Sequence, residues 1–242
     1  METAALRRPL TIGFGQVDAT DYTDPFLGNP VWGFQNLVFS TSPAIPFPNQ
    51  GLGAAIGGWL SENVYGTAGI ADANGDPKKP FNNVFDDGET FQHAEIGFTS
   101  SRDRLSLDNL HMTLWHQDKR RDAGTPDDWG VSASLNWGIN NSWCPFLRAG
   151  WNDRGTVLYK ESVSAGLGYL TRQQDIFGFG LNWGRPGGNR DLNNQWTIET
   201  FYKYQATEIF AITPDVQVIL NPANNPGQDL IAVFGLRARL IF

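Results

Sequence analysis

The chain has 242 residues and a formal net charge of -7, with 18 Lys and Arg against 25 Asp and Glu, an acidic balance that excludes a basic, polyanion-binding protein and any expected nucleic-acid partner. Charged residues make up 18% of the chain, below the roughly 25% of soluble domains, while 27 Gly, 9 Trp and 16 Phe are in excess. No run of about 18 apolar residues exists, so helical membrane spans are excluded, and the single Cys144 with three scattered histidines leaves no disulfide and no structural zinc site.

Residues Met1 to Pro9 carry two arginines without an apolar run behind them, so no secretory leader is expected there. The first strand is expected near residues 10–17. The uncharged stretch Pro25 to Ser61 is broken by Pro30, Pro43, Pro46 and Pro48 and reads as a loop leading into a strand. Within it, Val31 to Phe39 is expected to form a short helix whose apolar residues need cover. Further strands are expected near 51–60, 63–71, 89–99, 108–117, 131–137, 143–151, 162–169, 177–183, 196–205, 209–220 and 230–242.

Twelve strands result, and they share one pattern. In the last, Leu230, Ala232, Phe234, Leu236, Ala238, Leu240 and Phe242 alternate with Gly235, Arg237 and Arg239. In 177–183, Phe177, Phe179, Leu181 and Trp183 alternate with Gly178, Gly180 and Asn182. A two-sheet soluble core would seal both inner faces with bulky residues. Here the second face is Ser, Gly, Asn, Thr, Glu and Arg, so it must be wet and the apolar face must meet lipid. The expected fold is all-β, an antiparallel transmembrane β-barrel over one domain, 1–242, with short turns on one side and long loops on the other. Trp129, Trp137, Trp143, Trp151, Trp183 and Trp196 fall near strand ends, where amphipathic rings suit a membrane interface.

The inward parity carries Glu95 with His93, His111, Arg148, Glu199, Lys203, Asp215, Arg237 and Arg239, and the aromatics Trp59, Tyr65, Trp115, Phe146 and Phe201. Aligning the last three strands places Phe201 near Asp215, Glu199 near Gln217 and Arg237 near Thr213, so Glu199, Lys203, Asp215, Arg237 and Arg239 form one mixed-sign patch. Such charges orient water and hydroxyls without strongly selecting an ion's sign. Aromatic platforms beside Arg, Glu and Asp suit a sugar path, with a lumen brace as the competing reading. The expected path is Glu95, Trp115, Arg148, Glu199, Phe201, Lys203, Asp215, Arg237 and Arg239. No catalytic constellation emerges: His111 and His116 lie on opposite faces, and His93, Glu95 and His111 read as solvated lumen residues rather than a metal site. No cofactor is expected.

The order and spacing of Pro43-Ala-Ile-Pro-Phe-Pro48, Gly69-Ile-Ala-Asp-Ala-Asn74, Phe179-Gly-Leu-Asn-Trp-Gly-Arg-Pro186, Glu199-Thr-Phe-Tyr-Lys-Tyr-Gln205, Ile212-Thr-Pro-Asp-Val-Gln217, Asn221-Pro-Ala-Asn-Asn-Pro226 and Gly235-Leu-Arg-Ala-Arg-Leu240 resemble the carbohydrate-selective porin family, the OprB-like porins of Gram-negative outer membranes. The resemblance implies passive, sugar-preferring diffusion of small carbohydrates through a sixteen-stranded barrel in outer-membrane lipid. A terminal Phe242 resembles the aromatic end that the barrel-assembly machinery reads. The chain is then read as the C-terminal portion of such a barrel, expected not to close by itself, and a homo-oligomer is compatible with it. The competing readings are a non-conducting structural or adhesion barrel and a non-functional porin fragment.

Overall fold

The structure is a computed structural model that describes residues 10–24, 33–81, 88–121, 123–171, 174–188 and 191–241. It is an antiparallel sheet of twelve strands: β1 (Leu10–Val17), β2 (Gly51–Trp59), β3 (Val64–Asp72), β4 (Thr90–Phe98), β5 (Asn109–Gln117), β6 (Asp128–Asn136), β7 (Trp143–Asn152), β8 (Tyr159–Leu170), β9 (Ile176–Pro186), β10 (Gln195–Gln205), β11 (Phe210–Leu220) and β12 (Leu230–Leu240). Each strand pairs with its neighbours in sequence, and among the described residues no pairing joins β12 to β1. The expected end of the last strand, Phe242, lies outside the described residues.

Alternation builds two chemically different faces. The inner face is the one covered by residues 18–24 and 33–50. It carries Thr113 of β5, Ser132 and Ser134 of β6, Ser162 and Ser164 of β8, Asn182 of β9 and Thr197 of β10, all buried. The outer face exposes Ile96, Met112, Leu114, Leu147, Val163, Phe179, Val216 and Phe234, the last at 80%. So long a band of bare hydrocarbon on a continuous sheet belongs against lipid, because water-facing apolar patches rarely exceed a few hundred Å². Outer aromatics pair near both ends of the strands. Trp129 meets Trp151 at 5.1 Å on the long-loop side, while Trp143 meets Tyr169 at 4.4 Å and Phe98 stacks on Trp137 at 6.4 Å on the short-turn side. These are the two interfacial girdles of a membrane barrel.

The expected registers hold: Phe201 faces Asp215, Glu199 faces Gln217 and Arg237 faces Thr213. The expected helix is corrected. A single turn, α1 (Leu37–Ser40), forms instead of 31–39, with Asn36 as its N-cap, and Val31 and Trp32 lie outside the described residues. The physical reason is competition: the N–H groups of Gln35 and Asn36 donate to the Glu199 carboxylate of the wall, so the chain enters the helix only after them.

The turn between β4 and β5 is organised by Asp108, which accepts hydrogen bonds from Ser100, from Arg104 and from the Gly138 N–H at 2.9 Å. Burial pushes this carboxyl up, and the bonds from Arg104, Ser100 and Gly138 outweigh it, holding it below the usual 3.8. A lowered native value means that the stabilisation is complete above the unfolded value and is lost as pH falls through the native one. Asp108→Asn is therefore expected to flatten the acid limb of the unfolding profile; unchanged acid sensitivity would refute that role. Leu114→Arg, outward at mid-strand, is expected to cost about 2 to 4 kcal/mol in lipid vesicles, against roughly 0.5 kcal/mol for a water-exposed site. A cost within the smaller range would place this face in water.

Candidate functional site

The site is built where residues 18–24 and 33–50 fold onto the inner face. Four apolar side chains of this segment anchor it. Phe34, Val38 and Phe39 pack with Phe146 of β7, Tyr159 of β8, Ile176 of β9 and Phe201 of β10. Phe34 meets Phe201 edge-on at 5.0 Å and Phe146 at 5.6 Å. Ile45 joins Phe91 and Trp115 in a second cluster with Ala19. Each fully buried Phe or Ile stabilises the seat by about 1.5 to 3 kcal/mol. Glycines on both sides make room for these rings. A Cβ on the wall's Gly180 would lie 2.8 Å from the Phe39 ring, and one on the segment's Gly33 would lie 1.7 Å from the Phe201 ring. Gly180, mid-strand, is thus a socket for the inserted segment's Phe39 and Phe34, and Gly178 makes room for the wall's own Phe201 ring.

A buried carboxylate holds the segment polar side to wall. Asp24, with φ at 50°, is wholly enclosed by strands β4 to β7. Its Oδ1 lies 3.0 Å from His111 Nε2 and accepts from Ser134 Oγ at 3.1 Å; its Oδ2 lies 3.3 Å from Arg148 Nη2 and accepts from the Ser42 N–H at 3.2 Å. The Asp24 N–H donates 2.7 Å to Glu95 Oε2, which also accepts from Thr113 Oγ1 at 2.6 Å. Tyr65 donates to Glu95 Oε1 at 3.2 Å. One loop residue therefore joins an Arg, a His and a Glu from three strands.

A second clamp lies on β10 and β11. The Glu199 carboxylate accepts from the N–H groups of Gln35 and Asn36, the latter at 2.9 Å. Asn36 Nδ2 donates 3.0 Å to Gln217, whose own amide donates 2.9 Å to Asp215. A third contact is Arg237 Nη2 of β12, which donates 3.0 Å to the Gly33 carbonyl.

The residues expected on the path separate into two groups. Glu95, Trp115, Arg148, Glu199, Phe201 and Asp215 are buried where the segment and the wall meet. Lys203 is half-buried and Arg237 and Arg239 are exposed, and these three border an open cleft of about 230 Å³ together with Thr213, Phe201 and Gly33. Among the described residues no His, Cys, Asp and Glu cluster could hold a metal ion. Asp24, Gly33 and Asn36 do not stand out in the sequence, and Gln217 is placed there only as the register neighbour of Glu199. The usable signal was position: Asp24 is the last charge before the uncharged stretch that begins at Pro25.

The family model for the carbohydrate-selective porin, OprB family, matches residues 54–242. The chain belongs to that family. Its fold agrees: Pseudomonas putida OprB aligns with a TM-score of 0.71 at 14% identity, over 96% of this chain and 69% of that one. The outer membrane channel DcaP of Acinetobacter baumannii aligns at 0.61 and 13% identity, over 96% and 71%. A mutant Rh. blastica porin aligns at 0.56 and 13% identity, over 97% and 74%. No curated protein sequence matches. The chain is thus an outer-membrane porin of a Gram-negative bacterium, a member of a family of channels rather than enzymes.

The clamp yields a test. Removing Asp24 takes the carboxylate away from the buried Arg148 guanidinium, and breaking a buried pair costs about 3 to 5 kcal/mol. Asp24→Ala is expected to keep the sheet by circular dichroism, to lower the unfolding midpoint, and to open residues 33–49 to protease. Unchanged stability and protection would show that the carboxylate does not hold the segment.

Proposed function

We propose that residues 1–242 form one domain, the wall of a porin that conducts small sugars by passive, sugar-preferring diffusion, with the 18–50 segment as its constriction. The observation that carries this reading is the chemistry of the inner face. It presents hydroxyls, amides, carboxylates and guanidiniums on a wall whose other side is hydrocarbon, so a wet path needs no further machinery. In this reading the nine expected residues divide their work. Glu95, Trp115, Arg148, Glu199 and Asp215 brace the constriction, and Lys203, Arg237 and Arg239 border the open path with the edge of Phe201. Outer-membrane lipid is the expected surrounding, and recognition of Phe242 by the assembly machinery and homo-oligomer formation belong to the same reading.

Liposome swelling tests it. Vesicles holding the porin are expected to swell in isosmotic glucose and not in a large dextran. An absence of swelling in every sugar would favour a non-conducting structural barrel instead. In planar bilayers, deleting residues 34–47 is expected to raise single-channel conductance, because the segment's rings and backbone then leave the bore. An unchanged conductance would make the segment an external cap.

A further inference from the structure

The mixed-sign patch read from the sequence is not mixed once the chain is folded. Glu199 and Asp215 are at 0% and 2% exposure, and their carboxylates face the inserted segment and Gln217. The cations of the patch remain outside. Lys203 stands between the Phe201–Asp215 and Tyr204–Ile212 pairs, level with Thr213, which in turn pairs with Arg237. Arg239 pairs with Ala211 one step along the same face. With strands about 4.8 Å apart and same-face residues about 7 Å apart, three cationic stems and one hydroxyl converge on a space the size of a small solute. Among the described residues, the lining of the 230 Å³ cleft they border holds no Asp or Glu. Among the described residues neither Lys203 nor Arg239 has an acidic partner at salt-bridge distance. The nearby Asp175 is committed to Tyr202 Oη at 2.8 Å and the Gln205 N–H at 2.7 Å. The cleft also carries an apolar edge, Phe201 and Ile176, facing the cations.

We propose that this cleft binds an anionic monosaccharide, a sugar ring bearing one carboxylate or phosphate. The anion lies between Lys203 and Arg239, where charge-assisted hydrogen bonds are available from side chains with no competing acid. The apolar side of the ring meets the Phe201 edge and Ile176 that line the cleft, and Thr213 meets a hydroxyl. Arg237 contributes charge while its contact with the Gly33 carbonyl keeps the wall of the cleft in place. The inference rests on the sugar-pore reading and deepens it by naming a solute class: the burial of Glu199 and Asp215 by the segment is what turns a neutral path into one that prefers anions.

Equilibrium dialysis of the whole porin in detergent tests it, with radiolabelled glucose, glucuronate, a hexose phosphate, acetate and inorganic phosphate as probes. Glucuronate or the hexose phosphate is expected to bind on the order of tenfold tighter than glucose at low salt, since charge-assisted bonds are about twice as strong as neutral ones. The preference is expected to fade near about 1 M salt, where the Debye length is ~3 Å. The tighter of the two identifies the head group. Equal binding of glucose, or acetate and phosphate binding as well as their sugar counterparts, would overturn the proposal. Lys203→Gln with Arg239→Gln is expected to abolish the preference while the heat-modifiable barrel persists, and Lys160→Gln, which removes a distant positive charge, is expected to keep it. Retention of the preference in the double variant would also overturn the site. Swelling assays on the same preparations keep the two readings apart: binding without sugar flux supports the site and refutes the pore.

Discussion

Taking a carboxylate out of water is costly unless opposite charge and hydrogen-bond donors replace the solvent, and Asp24 meets that demand at one place on the wall. Arg148, His111, Ser134 and the Ser42 N–H surround its two oxygens, and its own N–H reaches Glu95. Because those partners come from β4 to β7 and from the segment itself, the position of Asp24 sets where the chain after β1 must run. Phe34, Phe39 and Ile45 then fall onto the aromatic residues of the wall, and the Gln35 and Asn36 amides arrive at Glu199.

The inner face thereby does two incompatible jobs by dividing its area. A wet bore calls for polar side chains, whereas a segment folded into it needs an apolar seat. Small residues reconcile the two: Gly178 and Gly180 allow Phe201, Phe39 and Phe34 to lie flat against backbone, so an apolar cluster forms inside a wall that is otherwise hydroxyl and amide. The outer face is free of this conflict, since lipid asks only for hydrocarbon along the strands and amphipathic rings at their ends.

Folding also sorts charge. Side chains of both signs share one parity on β10, β11 and β12, yet the acids lie where the segment's N–H groups need acceptors and the cations lie where it leaves a cleft. The sign of the field a solute meets is consequently a property of the inserted segment as much as of the wall. Arg237 links the two, because it belongs to the exposed set and also holds the Gly33 carbonyl.

Much of the fold was legible in the residues. Alternation has a period of two, so it reports which face each side chain takes without reference to any partner, and short turns between strands transfer that parity from one strand to the next. That is why Glu199 could be set opposite Gln217 and Arg237 opposite Thr213 from the sequence alone. The 18–50 connection obeys no such period. Its single helical turn, its left-handed Asp24 and its close approach at Gly33 are each decided by groups remote in sequence: Glu199, Arg148 and the Phe201 ring. The sequence by itself determined the sheet, its two faces and its membrane setting, because each follows from local pattern. Only the tertiary structure decided which inward residues are covered and which stay open, because long-range hydrogen bonds and ring packing place the segment over some of them and leave the others bare.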